Sequence, residues 1–256
     1  LNLQSILKEF ANPVGASSFE IWIATIAFGI QIYGDFSGYS DIAIGTALIL
    51  GFKIPMNFNK PYFALSPSDF WRRWHISLSS WLRDYFYIPL GGNRKSPSRT
   101  YINLFIVMFF GGLWHGASWN FVIWGVLHGL YLGIHDLLKN RFPFLTKIKF
   151  FQTKSGKILS ILITQYFVFL AWIPFRIHDF DHLSYAMQKY VFIDFVTDNI
   201  LQFILLYKIP VALMVLFVIL HFISFRKSDL ILKISNLPLK YWFIPLTIIM
   251  TLIVLF

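Results

Sequence analysis

Residues 100–138 read TYINLFIVMFFGGLWHGASWNFVIWGVLHGLYLGIHDLL, two apolar runs with a short glycine-rich break between them. A helix needs about 17–25 predominantly apolar residues to cross a bilayer. The runs 100–114 and 119–138 approach or meet that length. The break, Gly-Gly-Leu-Trp-His-Gly-Ala-Ser-Trp from Gly111 to Trp119, supplies the turn, so the stretch predicts a helical hairpin reversing near Gly116–Ser118. Gly125, Gly129 and Gly133 recur every four residues on one face of the returning helix. Such a small-residue stripe lets a neighbouring helix approach closely, and ordinary helix packing is the preferred reading of it.

Comparable runs lie at about 19–33, 157–175, 200–222 and 240–256, with a shorter one at 40–52 that reads as a half-span or re-entrant helix. The composition agrees. Hydrophobic residues make up 57 % of the 256 and charged ones 13 %, with 29 Phe, 12 Tyr and 9 Trp. A soluble domain carries about 25 % charge. The mean hydropathy is +0.62. One soluble core cannot hide this much apolar surface. The expected fold is therefore all-α: a polytopic transmembrane protein, with residues 1–256 forming a single membrane domain. The chain has no cysteine, which excludes disulfides, thiolate metal sites and a cysteinyl acyl-enzyme within it. It opens Leu-Asn-Leu-Gln, with no Met and no basic n-region, and reads as part of something longer.

Charge orients the spans. The net charge is +10, and the segments 53–100 and 139–157 hold fourteen basic residues against two acidic ones. In the first are Lys53, Lys60, Arg72, Arg73, Arg83, Arg94, Lys95 and Arg99; the second includes Lys139, Arg141 and Lys147. The stretch 176–199 is acidic, with Asp179, Asp181, Asp194 and Asp198. The positive-inside rule places both basic segments in the cytoplasm and the acidic stretch outside, and 226–240 returns inside. This concentration marks one face and gives no reason to expect nucleic-acid binding. Lys208 and Pro210, inside the 200–222 run, fit either a broken helix or a snorkelling lysine.

Ser66-Pro67-Ser68-Asp69 is a helix start, with Ser66 as N-cap and Pro67 at N1. Over 66–93, Trp71, Trp74, Leu78, Trp81, Leu82 and Tyr85 form one apolar face at helical spacing. Arg72, His75, Ser79 and Arg83 form another, and Pro89 with Gly91-Gly92 ends the element. A Trp-rich, Arg-bearing helix of this kind lies in the membrane interface. Its arginines suit lipid phosphates, or equally a phosphorylated or acidic partner, because guanidinium forks bind such groups bidentately.

Of seven histidines, His178 and His182 read as solvated, and His221 as an interfacial ring. His128 and His135 lack a third ligand at useful spacing, so no metal site is expected, and His128 reads as a hydrogen-bonding partner of a neighbouring helix. His115 sits at membrane depth, framed by Gly112 and Gly116 and walled by Trp114 and Trp119. An ionisable residue there is a functional candidate, and the residues alone leave catalysis and a buried structural hydrogen bond side by side. Asp35 and Asp41 bracket a second polar, glycine-broken stretch, Tyr33-Gly34-Asp35-Phe36-Ser37-Gly38-Tyr39-Ser40-Asp41. Non-helical backbone of that kind belongs only where it is buried or lines a cavity. Either carboxylate would suit an arginine of the 66–93 helix.

The runs YGDFSGYSDIAIG, FNKPYFALSPSDFWRRWHISLSSWLRDYFYIPLGGNR and GGLWHGASWNFVIWGVLHG, with FLAWIPFR ending at Arg176, resemble the membrane-bound O-acyltransferase family. The likeness is greatest to its bacterial alginate and peptidoglycan O-acetylation branch. That resemblance implies a ring of helices, with re-entrant and interfacial pieces, around a tunnel. The catalytic core falls at about 20–140 and further transmembrane helices at 157–256. Members of the branch have more N-terminal helices, so the ring is partial here. The family histidine corresponds to His115 and its second polar residue, Asn, Asp or His, to His75. The implied chemistry is acyl transfer, with His115 as general base. His75 would polarise the donor carbonyl from the cytoplasmic side, and Arg72, Arg73 and Arg83 would contact the donor. That donor is acetyl-CoA or an acylated carrier, with no bound cofactor. Expected partners are the bilayer and an extracytoplasmic acetyltransferase, in a bacterial cytoplasmic membrane. D-alanyl transfer to teichoic acid, a transporter or flippase using the two polar breaks, and a structural subunit are the alternatives.

Overall fold

The computed structural model describes residues 6, 12–144, 148–194, 200–227, 233–234 and 236–255. Lys147, Asp198, residue 256 and the opening residues 1–4 lie outside them. The described residues form helices without strands: α1 (Ser18–Ile49), α2 (Pro67–Trp71), α3 (Ile76–Leu82), α4 (Pro97–His115), α5 (Trp119–Arg141), α6 (Lys149–Gln152), α7 (Lys154–Arg176), α8 (Phe180–Val191), α9 (Ile200–Leu206), α10 (Lys208–Arg226) and α11 (Leu239–Leu255). Three of them, α5, α7 and α10, are long and apolar enough to cross a membrane. On α10 only Pro210 and Met214 are buried, leaving a leucine, valine and isoleucine surface that bilayer hydrocarbon can solvate.

Helix starts follow the local chemistry. Ser17 caps α1 in a capping box, its Oγ accepting from Glu20 N–H while the Glu20 carboxylate accepts from Ser17 N–H at 2.7 Å. The side chains of Ser66, Ser96, Thr153 and Asp179 cap α2, α4, α7 and α8 by accepting from the backbone N–H three residues on. The start of α1 is also tied to the end of α8. Ser18 N–H donates to Asp194 Oδ1 at 2.8 Å, Asp194 N–H returns a bond to Ser18 Oγ, and Lys189 pairs with the same carboxylate. The Lys189 ammonium, with help from Ser18, holds the Asp194 carboxyl down at about 2.

The expected hairpin is present, with α4 and α5 joined across 116–118. Glycines bring the two helices together. A Cβ on Gly112 would overlap the carbonyl oxygen of Phe121, and one on Gly125 would lie 2.5 Å from that of Met108. Gly129 meets Phe105 Cα at 3.1 Å, whereas Gly133 has little against it. The helix α7 packs antiparallel to α5: Tyr131 meets Phe167, Trp124 meets Phe175, and Asn120 Nδ2 donates to the carbonyl of Ile177. The helix α1 runs parallel to α7, pairing Trp22 with Tyr166 and Phe28 with Trp172.

Four expectations are corrected. The polar stretch 34–41 is not a break, because α1 continues through it to Ile49. Gly34 and Gly38 have nothing within 4 Å of a Cβ position, so they are merely tolerated in a helix whose backbone bonds remain closed. The stretch 66–93 is not one interfacial helix. It breaks at His75, which adopts a left-handed conformation, and continues through α3 into a π turn at Arg83–Tyr87. The physical reason lies in residues 57–59, which take backbone groups a helix would have used: Asn59 N–H donates to Arg73 O, and Ile76 N–H to Asn57 O, each at 2.9 Å.

After the break the segment descends beside α4. Phe86 meets Phe110, Gly111 faces Leu82, and Asn103 Nδ2 donates to the carbonyls of Leu90 and Gly92. The expected apolar face splits accordingly, with Trp71, Trp74 and Leu82 buried and Trp81 and Tyr85 exposed. The third correction concerns charge. Arg94, Lys95 and Arg99 share the open end of the hairpin with Lys139, Arg141 and Lys157, but the direction of α1 carries Ile49 and Lys53 to the opposite, His115 end. Fourth, His221 is not interfacial: it packs inside the bundle against Tyr33, Phe63 and Phe217. At Lys208 the chain follows the broken-helix reading, since α9 ends at Leu206 and α10 begins at Lys208 with Pro210 in its first turn.

Gly125→Ala and Gly112→Ala force the hairpin helices apart and lower the melting temperature of the detergent-solubilised protein; Gly45→Ala, in open space, leaves it unchanged. A melting temperature for Gly125→Ala equal to that of the parent contradicts the contact. In a cysteine-free background, Lys53→Cys and Arg99→Cys react with an impermeant maleimide from opposite sides of the membrane. Labelling of both from one side contradicts the direction given to α1.

Candidate active site

His115 is the last residue of α4, placed at the turn by the run of Gly111-Gly112 against α5. Its half-buried ring lies 5.0 Å from the rings of Trp114, Trp124 and Phe175, and 5.9 Å from Phe121. Three of these four walls come from outside the LWHG segment. Trp124 lies on α5, nine residues beyond His115, and Phe175 arrives from the end of α7. Trp119, expected as a wall, is 77 % exposed and has no ring contact among the described residues. At the first position of α5 its side chain has left the turn.

His75 reaches the same place. Its ring is edge-on to Phe36 at 4.6 Å and lies 6.4 Å from Trp114, the neighbour of His115. The sequence reading had put His75 and His115 toward opposite sides. The break at His75 and the dip of the 57–75 segment bring them together instead. His75 holds φ +42° and ψ +56°, a conformation uncommon outside glycine but several-fold enriched for Asn, Asp and His.

The arginines separate. Arg73 is bound to Asp69 at 2.9 Å and Arg83 to Asp84 at 2.7 Å. Arg72 is exposed, donates Nε–H to the carbonyl of Ser68, and makes no ion pair among the described residues. It stands within electrostatic reach of His135 on α5. Asp35 and Asp41 likewise make no ion pair among the described residues. Asp35 instead shares a 500 Å³ pocket with Gln31, Arg176 and His178, floored by Phe28, Phe36 and Phe175. Phe175 also packs on His115 and Phe36 on His75, so this pocket adjoins both rings. Sequence reasoning left His178 as a solvated residue and gave Arg176 no role. The signal available was their position just past Phe175, at the end of the FLAWIPFR run.

His128 departs from expectation too. It is 1 % exposed between Phe70, Trp71, Trp124 and Tyr131, and its Nε2 has no hydrogen-bond partner among the described residues. Together these residues form an aromatic site that holds the rings of His75 and His115 and opens beside a mixed polar pocket. Such a setting suits proton transfer to or from a bound hydroxyl.

Comparison with known proteins agrees with the geometry. Residues 11–177 match the model of MBOAT, the membrane-bound O-acyltransferase family. The chain is 40 % identical over 240 residues to a peptidoglycan O-acetyltransferase of Helicobacter pylori, covering 86 % of this chain and 44 % of that protein. It is 56 % identical over 119 residues to a probable alginate O-acetylase of Pseudomonas putida, covering 46 % of this chain and 24 % of that one. A teichoic acid D-alanyltransferase of Bacillus subtilis is 32 % identical over 165 residues, covering 60 % and 40 % respectively. The chain thus spans less than half the length of these relatives. With its all-helical membrane architecture and a family match that covers most of its length, this chain belongs to the membrane-bound O-acyltransferase family.

Proposed function

We propose that the protein containing this chain transfers an acyl group, acetyl in the leading reading, from a thioester donor on the cytoplasmic side to a hydroxyl acceptor destined for an extracytoplasmic polysaccharide. The observation that carries this reading is the meeting of His75 and His115 over Trp114, inside walls supplied by three separate helices. In the reaction, His115 removes the proton of the acceptor hydroxyl as its oxygen attacks the thioester carbonyl carbon. The C–S bond breaks, and the leaving thiolate takes the proton back from His115. The new C–O bond replaces the C–S bond, and the imidazole returns to its starting state.

The open end of the hairpin, with Arg94, Lys95, Arg99, Lys139 and Arg141, is assigned to the cytoplasm by its basic residues. Arg72 is the arginine best suited to a donor phosphate or acidic carrier, since Arg73 and Arg83 already hold carboxylates. The acceptor approaches from the opposite end, past Asp35, Arg176 and His178. The bacterial cytoplasmic membrane and a partner acetyltransferase outside it fit this direction of transfer. Relatives named O-acetyltransferase or O-acetylase favour acetyl. D-alanyl transfer is the second reading, resting on the relatives named teichoic acid D-alanyltransferase at 32–33 % identity. The transporter reading relied on two polar breaks, at 34–41 and 111–119, and α1 is continuous through the first of them.

In the full-length protein, His115→Ala lowers acyl transfer by about a hundredfold or more at unchanged membrane abundance. Transfer at the parental rate by that variant contradicts the base assignment.

A further inference from the structure

The hydrogen bonds around His75 bear on which of its nitrogens carries the proton. Asn57 holds the turn that follows it: Ile76 N–H donates to Asn57 O at 2.9 Å, and Ser77 N–H to Asn57 Oδ1 at 3.2 Å. A backbone N–H only donates, so the amide atom facing Ser77 is the oxygen, and Nδ2 faces Ser40 Oγ at 3.5 Å. The Ser77 hydroxyl lies 2.6 Å from the same Oδ1. A carbonyl oxygen cannot donate, so the single hydroxyl proton goes to Asn57. That leaves Ser77 Oγ with lone pairs toward His75 Nδ1, 3.4 Å away. The contact is a hydrogen bond only when Nδ1 carries hydrogen. A neutral imidazole has one N–H, so its Nε2 is then bare.

We infer that Asn57 and Ser77 are positioning residues that hold His75 in its Nδ1–H tautomer, presenting Nε2 at the reacting end as a hydrogen-bond acceptor. This rests on the acyl-transfer reading above and changes one part of it. Polarising a thioester carbonyl requires a donor, and neutral His75 has none left to offer. Its partner at Nε2 is an O–H or N–H group, and the group of that class which the reaction brings is the acceptor hydroxyl before His115 removes its proton. His75 then orients the acceptor oxygen and does not activate the thioester.

The test uses the full-length protein in native membranes, with a soluble acyl-thioester as donor. Ser77→Ala frees the tautomer and lowers kcat about tenfold while the donor KM stays constant. Replacement of His75 by Nδ-methylhistidine, in which neutral Nε2 is always bare, returns kcat in the Ser77→Ala background to within about threefold of the parent. The missing hydroxyl leaves room for the methyl group. An unchanged kcat for Ser77→Ala overturns the inference. So does loss of transfer in the methylhistidine protein at normal membrane abundance, because that result requires an Nε2–H. Asn57→Asp, which keeps an acceptor oxygen toward Ser77, retains more activity than Asn57→Leu; equal losses also overturn it. Failure of the acyl-transfer reading is separate: the parent protein then transfers no acyl group, or His115→Ala transfers normally.

Discussion

The close approach of α4 and α5 depends on the absence of side chains at Gly112 and Gly125, and the site depends on that approach. With the two backbones in contact, the turn at 116–118 stays tight and His115 ends one helix within 5.0 Å of Trp124 on the other. The same contact sets the groove on which the rest packs. Trp71 and Phe70 enter against Trp124 and His128, and α7 closes the third side with Trp172 and Phe175. Large aromatic rings carry most of this core, which buries area without many flexible side chains to order. In a bilayer the hydrophobic effect does not drive helices together, so contacts between backbones and interlocking rings take that part.

A second constraint acts on the segment between α1 and α4. It contains polar backbone at membrane depth and satisfies it internally. Asn57 and Asn59 bond to the backbone on either side of His75, Tyr62 Oη donates to the carbonyl of Gly29, and Asn103 takes the carbonyls of Leu90 and Gly92. Irregular backbone is thereby held against the hairpin, and a histidine in a left-handed conformation is held with it. Two imidazoles from distant parts of the sequence share one tryptophan in consequence. The chemistry proposed for the site follows from that pairing, one ring moving a proton and the other fixing where the hydroxyl sits.

Much of this was legible in the sequence. Helix starts were visible because capping is local: Ser66 with Pro67 and Asp69 needs no tertiary information. The hairpin and its glycine stripe were visible because apolar length and four-residue spacing report directly on packing. What periodicity could not show was the break at His75. The residues of 66–93 do carry a helical pattern, but Asn57 and Asn59, fourteen or more positions upstream, capture the backbone bonds that would have continued it. Counting charges failed for a related reason. Lys53 and Arg99 are close in sequence and alike in sign, yet the path between them crosses from one end of the hairpin to the other. The polar residues of 34–41 misled in the opposite direction, since glycines in open space do not by themselves interrupt a helix.

The central claim is that residues 66–93 leave the membrane surface and run beside α4, so that His75 and His115 meet. It is tested most directly by pairing Leu82→Cys with Gly111→Cys in an otherwise cysteine-free protein and treating native membranes with a short bifunctional thiol reagent. Leu82 Cδ1 lies 3.6 Å from the Cβ position of Gly111. The account predicts rapid intramolecular cross-linking, with Leu82→Cys alone shielded from impermeant reagents. Free labelling of Leu82→Cys from the aqueous phase, with no cross-link to position 111, would place the segment flat on the membrane and contradict it.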